Sequence, residues 1–186
     1  MTNILHSADV KPNFKWVFQT ASRTLAFGFG SGLSPMAPGT AGTLWAWAAF
    51  LLGEYFLSTE DFFWIIGGGI LLGCWICGHV SEELGKKDFG GIVWDEIVAF
   101  WLVLIFIMPT NIWMQVIAFA LFRFFDAAKP GPIGMIDRHF KNTASDNSQR
   151  STYPQIIWRG FGIMVDDLAA AFCTLLVMAL IQFLVR

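Results

Sequence analysis

Apolar residues in this chain gather in blocks instead of alternating with charge. Five such runs stand out, over residues 40–57, 62–78, 97–108, 112–125 and 162–185. Long unbroken runs of this kind predict helices with lipid-facing surfaces, because a spanning helix needs roughly 20 apolar residues. By that measure the first, second and fifth runs are long enough to cross a bilayer. The third and fourth are shorter, meet at the tight Pro109-Thr110-Asn111 turn, and read as a helical hairpin. Gly67-Gly68-Gly69 and Gly73 in the second run suit close helix–helix approach. The fold expected is all-α: an integral membrane helical bundle of about four to five membrane helices in a single domain over 1–186. Two polar stretches flank this core, an N-terminal segment over 1–22 and a loop over 141–160 rich in Asn, Ser and Thr.

Composition supports the membrane reading. Residues are 55% hydrophobic with a mean hydropathy of +0.57, and only 14% are charged, against about 25% in soluble domains. A net charge of −2 and the absence of a basic stripe interleaved with aromatics argue against a nucleic-acid partner. Residues 1–22 hold Lys11 and Lys15 without an apolar core of their own, so they do not read as a cleavable signal peptide. Cys74, Cys77 and Cys173 lie inside apolar runs, where small apolar packing is the expected role.

Charge also orients the bundle. Lys11, Lys15 and Arg23 precede the first run, Lys86 and Lys87 follow the second, and Arg123, Lys129, Arg138, Lys141, Arg150 and Arg159 cluster around the connection to the fifth. The other side carries Glu54, Glu60, Asp61 and an uncharged turn. By the positive-inside rule, the N-terminus and the loops 79–95 and 126–163 face the cytoplasm. Asp95-Glu96, Asp126 and Asp166-Asp167 fall on that same side, each where an apolar run meets a polar stretch.

Carboxylates in or near lipid cost on the order of 2.5–3.5 kcal/mol at a helix centre on insertion scales, so several gathered at one face call for a positive partner. A divalent cation held by hard oxygen ligands, Mg²⁺ or Mn²⁺, suits them. Asp95 and Glu96 are adjacent on a helix and point about 100° apart, so one carboxylate can ligate while the other meets water, a second ion or a basic group. Two further features bear on an anion. The glycine- and proline-rich stretch from Phe29 to Thr43 feeds a helix start, where bare amides around Gly39, Thr40 and Thr43 suit phosphate, and Thr40 or Thr43 can cap the helix. In Arg123-Phe124-Phe125-Asp126-Ala127-Ala128-Lys129-Pro130, Asp126 and Lys129 share a helix face and a local ion pair. Pro130 pushes Lys129 toward extended backbone, freeing its amine for phosphate. Asp137-Arg138 follows. The motifs of cysteine phosphatases, phosphoaspartate enzymes, zincins and serine hydrolases are absent, which leaves metal-activated water attacking phosphorus as the chemistry of these parts. A small cation or proton transporter is the alternative, but it predicts acids near the bilayer midplane and repeated halves, and the sequence shows neither.

The ordered set Gly28-Phe29-Gly30-Ser31-Gly32-Leu33-Ser34-Pro35, Ala37-Pro38-Gly39-Thr40, Gly42-Thr43, Ile92-Val93-Trp94-Asp95-Glu96, Phe122-Arg123-Phe124-Phe125-Asp126, Lys129-Pro130, Asp137-Arg138 and Gly162-Ile163-Met164-Val165-Asp166-Asp167 resembles the phosphatidylglycerophosphatase A family of bacterial inner-membrane lipid phosphatases. The resemblance implies Mg²⁺-dependent hydrolysis of phosphatidylglycerophosphate to phosphatidylglycerol and inorganic phosphate, with a cytoplasm-facing active site. It implies Asp95, Glu96, Asp126, Asp166 and Asp167 as metal-ligating and catalytic residues. Gly39, Thr40, Thr43, Arg123, Lys129, Asp137 and Arg138 would then serve the substrate phosphate.

Overall fold

The computed structural model describes residues 11–86, 89–129 and 152–185. Among them there is no strand, and the elements in chain order are α1 (Phe14–Val17), α2 (Ala21–Ala26), a 3₁₀ segment (Gly28–Leu33), α3 (Pro38–Gly53), α4 (Thr59–Glu83), α5 (Trp94–Ile107), α6 (Ile112–Ala128) and α7 (Tyr153–Val185). The expected all-α bundle is what the chain forms.

Local chemistry sets several of these boundaries. Ser58 and Asp61 close a capping box at the start of α4: Asp61 N–H donates to Ser58 Oγ at 3.2 Å and Ser58 N–H donates to Asp61 Oδ2 at 2.9 Å. Asn111 caps α6 by accepting from Met114 N–H at 3.0 Å, directly after the turn that ends α5.

α5 is the central strut. Its apolar residues face every side, the signature of a helix surrounded by others, and it packs against α3, α4, α6 and α7. One core cluster gathers Ile97, Phe100, Leu104 and Phe122, and a second gathers Phe27, Ile76, Val98 and Met164. Trp94 and Trp101 tie α5 to its neighbours by donating to the Gly69 and Ala46 carbonyls at 3.0 and 2.8 Å. α4 and α7 cross backbone to backbone: a Cβ on Gly78 would strike the Ile156 carbonyl, and one on Gly160 would strike the Cys74 carbonyl. Beside that crossing, Arg159 pairs with Glu82 at 2.6 Å, and Arg23 of α2 pairs with Glu83 at 2.8 Å.

Among the described residues, two helices are long and apolar enough to cross a membrane, α4 with 25 residues and α7 with 33. α3 is shorter than its apolar run suggests. It ends at Gly53 after 16 residues, about 24 Å of helix, and the chain then turns through Tyr55 and Phe56 into the α4 cap. α7 begins earlier than expected, at Tyr153. The end of the expected 141–160 loop is therefore helical, because Ile156 and Gly160 have α4 backbone to pack against. The rest of that loop lies outside the described residues.

Candidate active site

Four elements bring their functional side chains to one end of the bundle: the start of α3, the start of α5, the end of α6 and the first half of α7. Val93, just before α5, donates its N–H to the Ala26 carbonyl at 2.8 Å, which fixes where Asp95 and Glu96 emerge. Asp95, Asp166 and Asp167 are buried. The carboxylates of Asp95, Glu96 and Asp126 lie close enough to that of Asp167 to interact with it electrostatically.

Two cations are threaded among these acids. Arg123 Nη1 donates to Glu96 Oε1 at 2.9 Å and to Thr43 Oγ1 at 3.4 Å, and forms an ion pair with Asp126 Oδ2 at 2.8 Å. Thr43 Oγ1 in turn donates to the Gly39 carbonyl at 2.9 Å, so this hydroxyl orients the guanidinium from the α3 side. Lys129 Nζ donates to Asp166 Oδ2 at 3.0 Å. Among the described residues of the site, Arg123 and Lys129 thus stand against five carboxylates. Such an excess of buried acid is relieved by further positive charge nearby or by protons held within the pool.

Gly39 opens a cradle between them. A Cβ there would strike Glu96 Oε1 and come within 2.8 Å of Arg123 Nη2. The Glu96 carboxylate and the second guanidinium nitrogen therefore pack directly against the first turn of α3, an approach that only glycine permits. Glu96 Oε2 is buried with no hydrogen-bond partner among the described residues. The donor set is all carboxylate oxygen, which matches a hard divalent cation. No group of three or more His, Cys, Asp or Glu side chains among the described residues is already drawn into a coordination sphere. Glu96, Asp126 and Asp166 are instead turned toward Arg123 and Lys129. The chemistry of the site fits a divalent ion, and three of the side chains that would hold it are engaged with these two cations.

The family model of Phosphatidylglycerophosphatase A matches residues 24–145. The chain is 40% identical over 163 residues to Phosphatidylglycerophosphatase A of Haemophilus influenzae, covering 86% of this chain and 87% of the relative. The chain belongs to the phosphatidylglycerophosphatase A family. Phosphatidylglycerophosphatase A of Escherichia coli is 38% identical over 147 residues, covering 78% of this chain and 74% of the relative. A putative phosphatidylinositol-3-phosphatase of Bacteroides thetaiotaomicron is 30% identical over 165 residues, covering 85% and 91%. No solved structure matches. As a family member the chain is an enzyme, a phosphoric monoester hydrolase. The residues matched to the phosphatidylglycerophosphatase A model include Gly39, Asp95, Glu96, Arg123, Asp126 and Lys129, and stop short of Asp166 and Asp167.

The structure brings together Asp95, Glu96, Asp126, Asp166, Asp167, Gly39, Thr43, Arg123 and Lys129. Thr40 lies in the same first turn of α3, half-buried. Neither Thr40 nor Thr43 caps that helix: its N-cap is Ala37, which makes no side-chain cap hydrogen bond, and Pro38 takes the first helical position. Lys129 departs from the extended conformation expected before Pro130. It closes α6 in the left-handed region at φ 41° and ψ 53°, and its amine turns to Asp166 instead of Asp126, which Arg123 already holds. Asp137 and Arg138 lie outside the described residues. Cys77, read from the sequence as apolar packing, is buried, and its thiol lies near Asp95 and Asp167; the Gly78–Gly160 contact between α4 and α7 was not read from the sequence. Small residues at these positions were the only signal.

Proposed function

We propose that this protein removes the terminal phosphate of phosphatidylglycerophosphate, giving phosphatidylglycerol and inorganic phosphate, at the cytoplasmic face of the bacterial inner membrane. The observation that carries this reading is the five-carboxylate cluster, with Arg123 and Lys129 among it, at one end of the bundle beside the Gly39 cradle. Family membership supports the reaction class, and the names of the Haemophilus influenzae and Escherichia coli relatives support the substrate. The position of the acids, where α5 begins and α6 ends, favours chemistry on a lipid headgroup over an ion path through the membrane.

In the reaction, a water oxygen attacks phosphorus, the bond from phosphorus to the glycerol oxygen breaks, and that oxygen leaves with a proton. Asp95, Glu96, Asp126, Asp166 and Asp167 form the pool that would hold Mg²⁺, with Mn²⁺ as a substitute. When bound, the ion supplies Lewis acidity toward phosphate oxygens and a lowered pKa for attacking water. The chain's own residues do the rest. Arg123 Nη2 lies beside Gly39 at the N-terminus of α3, where phosphate oxygens are stabilised as charge builds on them. Lys129 offers a second positive charge once phosphate displaces its contact with Asp166. A buried carboxylate within the pool takes the proton from water.

The test is phosphate release by purified protein from phosphatidylglycerophosphate and from phosphatidylinositol 3-phosphate, with and without EDTA. Release from the first lipid, lost in EDTA and restored by Mg²⁺, is the expected result. A full rate without divalent metal contradicts the mechanism, and preference for the second lipid contradicts the substrate.

A further inference from the structure

Beyond the carboxylate cluster, the N-terminal platform of α1, α2 and the 3₁₀ segment has no role in the proposed chemistry. Three phenylalanines are exposed on it: Phe14 is 69% exposed, Phe18 45% and Phe29 46%. The Phe14 and Phe18 rings meet at 4.5 Å, and Gly30 sits against both. Phe29 adopts left-handed backbone at φ 56° and ψ 31°, a region that bulky side chains disfavour. Its ring is not taken into the core but is turned outward, stacked on Trp45 at 4.9 Å. Trp45 lies two turns into α3, about 10 Å along its axis, so Phe29 flanks the bundle instead of covering its end. Lys11 and Lys15 are exposed on the same platform.

The platform is rigidly attached. Arg23 pairs with Glu83 of α4 and lies over the Trp16 ring at 4.2 Å, and the Ala26 carbonyl accepts from Val93 N–H, two residues before Asp95. Exposed aromatics beside lysines, next to an apolar belt, have the composition that seats helices in the headgroup layer: rings go to the acyl boundary and lysines to anionic lipid. α1 precedes the residues that the family model matches.

We propose that this platform is an interfacial anchor. Phe14, Phe18 and Phe29 seat in the headgroup layer of the bilayer that the bundle crosses, with Lys11 and Lys15 facing anionic lipid. The cluster around Asp95 is thereby held at a fixed depth beside lipid phosphates. The seating stands independently of the proposed reaction; only its kinetic consequence rests on it.

Depth is read first, on a spin label at Phe18→Cys in full-length protein with Cys74, Cys77 and Cys173 replaced by alanine, reconstituted in phosphatidylglycerol-containing vesicles. The anchor predicts a label shielded from a water-soluble nickel complex and accessible to oxygen. A label as open to nickel as free spin label overturns it, and so does dipolar broadening between labels, which would place a second copy on this face. Kinetics come second, on the Phe14→Ser, Phe18→Ser double variant. With substrate in vesicles, KM rises at least about fivefold while kcat holds, and with a short-chain monomeric analogue in detergent neither changes. An unchanged KM in vesicles, or an equal rise with both substrates, overturns the anchor. If the wild-type protein releases no phosphate, the proposed reaction fails and the depth measurement alone decides.

Discussion

Arg123 concentrates its contacts in a single nitrogen: Nη1 donates to Glu96 and Thr43 and pairs with Asp126, while Nη2 is left facing Gly39. Truncating it leaves carboxylates without their cation, so Arg123→Ala should lower stability by about 2 kcal/mol or more and abolish activity. Arg123→Lys keeps the charge but not the fork, and should restore the melting temperature more fully than the rate. Thermal unfolding in detergent alongside phosphate release separates the two effects. Gly39→Ala tests the cradle: its methyl meets Glu96 and Arg123. The expected result is a loss of at least about tenfold in kcat with little change in melting temperature. The acids were legible in the sequence because a carboxylate at the edge of an apolar run has no inexpensive explanation. Their partners were not. Arg123 reaches Glu96 across 27 positions, Lys129 reaches Asp166 across 37, and Arg123 reaches Thr43 across 80. The local reading paired Asp126 with Lys129 because they share a helix face. The fold offered each a better-placed partner.

Among the elements, the α4–α7 crossing does most to position chemistry. Gly78 and Gly160 let the two backbones touch, and the Arg159–Glu82 pair holds the crossing from the side. Gly160→Leu should force α7 away from α4, cost about 2–3 kcal/mol and displace Asp166 and Asp167 enough to remove activity. Gly68→Ala, with nothing within 4 Å of its Cβ, should leave melting temperature and rate unchanged. The existence of α4, α5, α6 and α7 was readable from apolar runs, but their ends were less so. A polar stretch such as 141–160 reads as loop until the contact of Ile156 and Gly160 with α4 is known. Likewise, the apolar run over 40–57 continues past the Gly53 end of α3, since Tyr55 and Phe56 are apolar without being helical.

For the molecule as a whole, α4 and α7 supply the membrane-crossing lengths, α5 is the packed centre, and the acids share one end. The proposed orientation, with that end toward the cytoplasm, rests on the positive-inside distribution. A membrane-impermeant maleimide applied to intact cells should therefore label Glu60→Cys and spare Lys86→Cys; the reverse pattern would invert the bundle. The most direct test of the carboxylate cluster as the hydrolytic centre is phosphate release from phosphatidylglycerophosphate by Asp167→Asn against wild type, each with Mg²⁺. Asp167 is buried among Asp95, Glu96 and Asp126, so the variant should keep the fold and lose activity by about 10³-fold or more. A folded Asp167→Asn protein releasing phosphate within a few-fold of the wild-type rate would contradict the account.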